Sequence, residues 1–136
     1  MSTLSAFLHP AIANEEKEIV ISNRFQDEHG NPVPFKIRAI TQEENDALTK
    51  KSTKQYKVNG VPQDRLDSVE FTRRLVVAGT VEPNFSDTEM CNTYGAMDPL
   101  QVPGRMLLSG EYSKLAKEIM DLSGFGDLTL DEQAKN

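Results

Sequence analysis

Residues 35–44, FKIRAITQEE, join a strand to a helix and decide the fold class of the chain. Apolar and basic side chains alternate through the first half of this stretch, which is typical of a strand with one buried face and one largely wet face. Thr41 and Glu44 then match a capping box, in which the threonine hydroxyl accepts from the Glu44 amide and the glutamate reaches back. The stretch therefore predicts a strand that leads directly into a helix over about 42–51.

The residues upstream predict a partner for this strand. Residues 18–25, EIVISNRF, are rich in β-branched side chains and are bounded by polar residues, as a second strand would be. Residues 27–32, DEHGNP, lie between the two segments and are dense in residues that tolerate turn geometry. We therefore predict an antiparallel β-hairpin. Because a hairpin alone is only marginally stable in water, helices must cover its apolar face.

The residues downstream predict those helices. From Asp64 to about Thr80, apolar side chains at helical spacing form a broad face, so this segment is the expected central helix of the core, ended by Pro83. A second capping box over 86–89 predicts a short helix that stops near Gly95.

Two further segments complete the helical half. Asp98 followed by Pro99 is typical of a helix start, and residues 110–122 show the clearest amphipathic pattern, ended by Ser123-Gly124. Residues 56–62 contain Asn-Gly, a hairpin turn signal, but the flanking segments are short, so a loop and a small second hairpin both stay open.

Together these elements predict an α+β fold, with an N-terminal antiparallel β-hairpin followed by four to five helices in a single domain. The length of 136 residues suits one such domain. We expect residues 1–17 to form a weak N-terminal arm, residues 18–124 to form the α+β domain, and residues 125–136 to form an acidic C-terminal tail.

The composition excludes several classes of protein. Apolar residues make up 38% of the chain and charged residues 26%, which excludes a strongly disordered chain. No stretch approaches the ~18 apolar residues of a membrane span, and the first residues do not resemble a signal peptide. The single cysteine, Cys91, forms no internal disulfide and fits a reducing compartment. We therefore expect a cytoplasmic protein that does not bind membranes.

The net charge of −6 comes entirely from the second half of the chain. Residues 1–60 carry eight charges of each sign, whereas residues 61–136 carry seven basic and 13 acidic residues. Because nucleic-acid binding relies on clustered lysine and arginine, this balance disfavours DNA or RNA as a partner. The local exception is the basic run over 50–57, which we interpret as a solvated helix end followed by a loop.

Catalytic and metal-binding patterns are weak. His9 and His29 lack partners at the spacing of a zinc site, and Cys91 lacks the basic context of a nucleophile. Glu111 and Glu118 are one of many carboxylate pairs that acid/base chemistry would permit, and nothing in the sequence singles them out. We therefore predict a protein that is not an enzyme, with no catalytic residue, no bound metal and no cofactor.

The second half carries a series of motifs that resembles a known family. The series is RRLVVAGTVEP over 73–83, YG over 94–95, MLLSGEYSKL over 106–115, and the run from Ile119 to SGF over 123–125. It resembles the tail assembly chaperones of contractile-tailed phages and PBSX-type phage-like elements, the XkdN-like family. The departures are minor, since we expect alanine and asparagine to be equally suitable at the positions of Gly79 and Ser123.

The resemblance implies a function in the cytoplasm of the bacterial host. A member of this family would bind the tape measure protein, help recruit tail tube subunits around it, and be absent from the mature particle. It would also be made in a longer, frameshifted form, and codons for residues 134–136 permit a slippery sequence. Two alternatives stay open: a structural tail component, such as a tube-tip or completion protein retained in the particle, and a regulatory module that binds nucleic acid through residues 50–57.

A chaperone for a long helical protein needs an apolar surface with a charged rim. We predict that partner contacts involve Tyr112, Phe125, Leu128 and Leu130, the last three on the C-terminal tail. The alternative for Phe125 is that it packs back on the last helix as part of its C-terminal stop. A homo-oligomer is also possible, because the N-terminal hairpin has an open edge.

Overall fold

The computed structural model describes residues 3–11 and 15–125, which form one small domain of mixed α and β structure. Five strands and six α-helices lie in these residues, together with a short 3-10 helix. In chain order they are α1 Thr3–Leu8, β1 Glu16–Ile19, β2 Phe35–Arg38, α2 Gln42–Ser52, β3 Thr53–Val58, β4 Val61–Leu66, α3 Ser68–Gly79, β5 Thr80–Glu82, α4 Thr88–Thr93, the 3-10 helix Pro99–Gln101, α5 Val102–Met106 and α6 Ser109–Leu122.

The N-terminal strands pair as an antiparallel hairpin, but the first strand is displaced from its predicted position. β1 covers Glu16–Ile19 rather than 18–25, and Ile19 pairs with Phe35. Beyond β1 the chain leaves the ladder because Ile21 turns into the core, where only 6% of it stays exposed. The predicted turn is present in the long connection, where one carboxylate oxygen of Asp27 accepts from the amides of two later residues.

A third strand, which the sequence pattern did not predict, extends this sheet. β5 pairs antiparallel with β2 on the side away from β1, so the strand order is β1-β2-β5. Residues 80–82 were predicted as the end of the central helix and its exit. The helix ends at Gly79, close to the predicted end at about Thr80, but the β-branched Thr80 and Val81 continue as a strand beside β2.

The segment between α2 and α3 is the second hairpin that the Asn-Gly signal left open. β3 and β4 pair over six residues each, and both turn residues adopt a positive φ, 54° at Asn59 and 80° at Gly60. This combination defines a type I′ turn, whose twist matches that of the strands. The predicted helix start at Asp64 is therefore wrong, because Leu66 lies in β4 and Asp67 caps α3 through the amide of Glu70.

The remaining helix boundaries largely follow the capping residues. Thr41 and Glu44 form the predicted capping box at the start of α2, and Asp98 caps the 3-10 helix at Pro99. The box predicted over 86–89 is displaced by one residue, since Asp87 caps α4 by accepting from the amide of Glu89.

The core lies between the sheet and the helices α3 and α6. Ile37 of β2, Val76 of α3, and Leu115 and Ile119 of α6 are fully buried in one cluster. The other members of this cluster come from β2, α3, α5 and the loops after β1, β2, β5 and α5. They are Ile21, Phe35, Ile40, Leu75, Phe85, Val102, Met106 and Leu107.

Gly79 and Ser123 both make specific contacts, although alanine and asparagine were expected to be equally suitable at these two positions. A Cβ atom added to Gly79 would lie 2.5 Å from Cγ2 of Ile119, so alanine is not equally suitable there. The Ser123 hydroxyl donates to the carbonyl of Ile119 and accepts from the amide of Ile40 at 2.8 Å. A longer asparagine side chain cannot reproduce this pair of bonds at the same distance from the backbone.

Candidate partner-binding surface

Tyr112, predicted as a partner contact, lines an open groove between α3 and α6. The tyrosine is half-buried, and this burial raises the pKa of its hydroxyl. Val69 and Arg73, four residues apart in α3, form the opposite wall, and Leu107, the residue after α5, closes one end. The groove has a volume of about 350 Å³. It offers apolar walls with a guanidinium at the rim, which suits an apolar side chain on a partner helix.

The start of α6, which positions Tyr112, is held by Glu111. Its carboxylate accepts from the Leu108 amide at 2.8 Å and from Nε of Arg24 at 3.1 Å. Arg24 also donates to the carbonyl of Met106, so the loop after β1 is joined to the turn between α5 and α6. The hydrogen bond from Arg24, with smaller contributions from Ser22 and the Leu108 amide, lowers the pKa of Glu111 to about 2.

The carboxylate pair considered for acid/base chemistry therefore has structural roles. Glu111 is bound by Arg24, and Glu118, two turns along the same helix, lies 3.3 Å from Nζ of Lys17 in β1. Each carboxylate contacts a different basic residue of the N-terminal segment. The two residues hold α6 against the first strand and the loop that follows it.

Phe125 lies at the opposite end of α6 from Tyr112. Gly124 has a φ of 96°, and the amides of Gly124 and Phe125 donate to the carbonyls of Asp121 and Met120. This is a Schellman motif, the common glycine-dependent end of a helix. Because α6 has 14 residues and is about 21 Å long, Tyr112 and Phe125 do not form one continuous patch. Leu128 and Leu130 lie outside the described residues.

A second groove is more apolar than the first, and no sequence pattern pointed to it. It lies where the loop after β1 meets β5, and it has a volume of about 360 Å³. The rings of Phe25 and Phe35 stand 5.7 Å apart in its wall. Its lining residues are Phe25, Val33, Pro34, Phe35, Glu82, Pro83 and Met106. Glu82 and Pro83, at the end of β5, form part of the groove. Because the sequence pattern did not predict β5, it could not predict the groove.

Two segments in the N-terminal half of the chain, α1 and the β3–β4 hairpin, expose several apolar side chains each. In α1, the side chains of Leu4, Phe7 and Leu8 are 62–78% exposed. In the β3–β4 hairpin every residue is exposed, including Tyr56 and Val61. The sequence pattern predicted an arm for the first segment and left a loop or a small hairpin open for the second, and none of the predicted protein contacts lies in them.

The residues considered for metal or nucleophile chemistry are dispersed. His9 follows α1 and His29 lies in the turn of the first loop, both exposed, while Cys91 is half-buried in α4 with its Sγ 3.5 Å from the carbonyl of Phe85. Within residues 3–11 and 15–125, no three histidine, cysteine or acidic side chains are grouped as a metal site would require. None of the helices in this part of the chain is long and apolar enough to cross a membrane.

Comparison with known proteins identifies relatives along nearly the whole chain. A family model described as phage XkdN-like tail assembly chaperone protein matches residues 4–135. The uncharacterized protein YqbN of Bacillus subtilis is 41% identical over 129 residues, which cover 92% of this chain and 87% of that protein. XkdN of the phage-like element PBSX, from the same organism, is 37% identical over 130 residues with the same coverage.

A solved structure agrees with this relationship. The crystal structure of YqbN matches with a TM-score of 0.74 and 36% identity, covering 88% of this chain and 95% of that one. The family relationship is supported by the mixed α and β fold, by the motifs of the second half and by the extent of the match. The chain belongs to the XkdN-like family of phage tail assembly chaperones.

Proposed function

We propose that this protein is a non-catalytic chaperone that binds the tape measure protein and helps recruit tail tube subunits around it. Membership of the tail assembly chaperone family supports a role in phage tail assembly. The observation that supports contact with a helical partner is the open groove at Tyr112, which has apolar walls and a basic rim. Long helical proteins expose apolar stripes until they are enclosed, and a groove of this kind covers such a stripe.

Val69 is the best position at which to test this groove, because it is 60% exposed and lines the wall opposite Tyr112. The protein is co-expressed with the tape measure protein of the same phage element, and co-purification is measured. Val69→Asp should reduce the recovered complex at least tenfold, since a charge would have to be buried against the partner.

The matched control is Val61→Asp in β4, where the valine is 58% exposed. It should leave co-purification unchanged. Loss of the complex in Val61→Asp, with Val69→Asp unaffected, would place the contact on the hairpin and contradict the groove. If wild-type protein recovers no tape measure protein at all, the proposed function itself fails.

The C-terminal tail is a second proposed contact, in which Phe125, Leu128 and Leu130 bind the partner separately from the groove at Tyr112. We further propose that the protein acts in the cytoplasm of the bacterial host and is left out of the mature particle. A structural tail component is the alternative, and mass spectrometry of purified particles separates the two, because a chaperone is absent or present only in traces. A longer frameshifted form requires a slippery sequence and an overlapping downstream frame, which the gene's nucleotides decide.

A further inference from the structure

We propose that copies of this protein associate head to tail, with the β3–β4 hairpin of one copy bound to the acidic β5–α4 segment of the next. Two surfaces of opposite charge lie at opposite ends of the fold, and each carries apolar groups with which to make contact. This interface is independent of which tail protein the chaperone binds.

The charge of the chain is strongly polarised. Residues 50–66, which hold the hairpin and the helix end before it, contain five of the 15 basic residues and one of the 21 acidic residues. The rest of the chain therefore carries 20 acidic against ten basic residues. Residues 80–93, which run from β5 to α4 and form the acidic segment, contain three acidic residues and no lysine or arginine. The chain, with a net charge of −6, thus has one basic region and one segment in which every charged residue is acidic.

The topology separates these two regions. α2 begins directly after β2 and ends at the hairpin, whereas α3 begins at the hairpin and ends at β5, which pairs with β2. The two helices pack against each other, and α3 is about 18 Å long. The hairpin therefore lies at one end of the helix pair, and the sheet with the acidic segment lies at the other end. One molecule cannot easily bring its own two regions together.

One face of the hairpin is suited to binding, and we call it the hairpin face. Strand pairing places three residues of β3 and three of β4 on it: Lys54, Tyr56, Val58, Val61, Gln63 and Arg65. The guanidinium of Arg65 lies over the Tyr56 ring at 5.5 Å from its centroid. Lys54 is tied to Asp67 and Glu70 at the base, which anchors the hairpin to α3. Within the described residues, Arg65 takes part in no ion pair.

The hairpin face has no cover in the monomer. Each of its six residues is exposed, and an isolated two-stranded sheet is only marginally stable in water. Exposed apolar side chains such as Val58 and Val61, rimmed by basic groups, mark a contact site for an acidic surface that also carries apolar groups.

The acidic segment has those properties. Asp87 and Glu89 line an open cavity of about 380 Å³, together with Met90 and Tyr94. Glu82 opposes Lys36 across the β2–β5 ladder. In the part of the chain that the structure describes, none of these three carboxylates forms an ion pair. The cavity therefore offers carboxylates to the basic face of the hairpin and apolar side chains to the two valines.

The first test reverses the charge of each surface in the full-length protein. One variant carries Gln63→Glu and Arg65→Glu on the hairpin face, and the other carries Glu82→Lys and Glu89→Lys on the acidic segment. Sedimentation velocity at low ionic strength should show wild-type protein associating with rising concentration. Each variant alone should associate at least ~100-fold more weakly, because like charges then meet at the interface.

The decisive measurement is the mixture of the two variants. The acidic hairpin of the first variant matches the basic segment of the second, and the basic hairpin of the second matches the acidic segment of the first. Mixing them should therefore restore association to within about tenfold of wild type. If both variants retain the wild-type circular dichroism spectrum and the mixture stays monomeric, the proposal is wrong.

A matched control keeps the charge change and moves it to the other face of the hairpin. Gln55→Glu with Lys57→Glu alters the net charge by the same amount, but its residues lie on the face that carries Asp64 and Leu66. This variant should keep most of the association. Equal loss in the control and in the hairpin-face variant would overturn the proposed face.

Two further results would overturn the proposal. The first is a wild-type protein that stays monomeric at every concentration. The second is binding of a fluorescent single-stranded oligonucleotide at low salt that the hairpin-face variant loses, which would assign the hairpin to nucleic acid. If a variant does not fold, Val58→Ser with Val61→Ser replaces it. That substitution keeps every charge, and it should still weaken association at least tenfold.

Discussion

Arg38, the last residue of β2, and Glu44, in the first turn of α2, form an ion pair that joins the sheet to the helix. Both terminal nitrogens of the guanidinium donate to the carboxylate, one of them at 3.0 Å, and Nε donates to the carbonyl of Ala78. Glu44 also accepts from the amide of Thr41 in the capping box. One carboxylate thus caps a helix and binds the sheet at the same time.

This pair predicts a loss of stability in acid. The hydrogen bond from Arg38 is the largest of the effects that lower the pKa of Glu44 to about 2 in the folded protein, from an unperturbed 4.5. Because the folded pKa is the lower one, the carboxylate stabilises the fold fully above pH 4.5 and loses this effect as the pH falls toward 2. Glu44→Gln should cost about 1 kcal/mol at pH 7, a modest value for a partly exposed pair.

The measurement is the free energy of unfolding in urea at pH 7 and pH 3. The difference between wild type and Glu44→Gln should shrink at the lower pH. Glu43→Gln is the matched control, since Glu43 is exposed in the same turn and forms no ion pair within the described residues. A difference that stays constant with pH would contradict the assigned role of Glu44.

Gly79→Ala should destabilise the protein by about 1–3 kcal/mol through overpacking. The new methyl group would lie 2.5 Å from Cγ2 of Ile119, which is fully buried and β-branched, so it cannot move aside easily. Gly110→Ala is the control, because a Cβ there meets nothing within 4 Å in the helix α6. It should raise stability by up to ~1 kcal/mol. Equal effects in urea unfolding would show that the two helices do not pack this closely.

Ser52→Ala should stabilise the protein by about 1 kcal/mol. Ser52 is fully buried at the end of α2, and its hydroxyl has no hydrogen-bond partner within the described residues. Its removal relieves an unsatisfied polar group and favours the helix. Ser123→Ala should instead cost about 1–2 kcal/mol, since that hydroxyl bonds both Ile40 and Ile119. The midpoint of thermal unfolding should rise for Ser52→Ala and fall for Ser123→Ala.

Gly60→Ala should loosen the β3–β4 hairpin without unfolding the domain. Gly60 has a φ of 80°, where alanine costs about 1–2 kcal/mol, and the hairpin is exposed on every residue. Trypsin should therefore cleave faster after Lys57 and Arg65, while the midpoint of global unfolding changes little. Asn59→Gly is the control and should leave the cleavage rate near wild type, because glycine adopts the same positive φ. Unchanged cleavage in Gly60→Ala would refute the turn geometry.

Tyr112→Ala and Tyr112→Phe separate the contribution of the tyrosine ring from that of its hydroxyl in the proposed groove. The phenylalanine keeps the apolar wall and should retain tape measure binding, whereas the alanine should weaken it about tenfold.

The tail is tested by Phe125→Ala with Leu128→Ala, which should reduce co-purification while the fold survives. If the tail variant binds as well as wild type, the tail is excluded as a contact.

The parts of the fold that the sequence predicted correctly rest on short-range physics. The capping box at Thr41 and the amphipathic pattern of α6 depend on residues three or four positions apart, and such signals need no knowledge of distant neighbours. The antiparallel pairing of the first two strands was also predicted, because a turn-rich segment separates a β-branched run from an alternating one.

The parts that were missed depend on long-range pairing. β5 is only three residues long and becomes a strand because β2 lies beside it. Leu66 fits the helical period of α3, yet the Asn-Gly turn pairs it with Thr53 in the second hairpin. Both candidate grooves depend on such contacts, so the sequence predicted Tyr112 as a contact residue without predicting its groove, and it did not predict the second groove at Phe25.

The attachment of α6 to the first strands has a consequence for synthesis on the ribosome. Leu115 and Ile119 fill the core that β1 and β2 begin, and Lys17 and Arg24 bind carboxylates of the same helix. The first strands leave the ribosome well before the helix that covers them. The core therefore closes only after nearly the whole domain has been translated, and a chain released before α6 exposes its sheet to the cell's proteases.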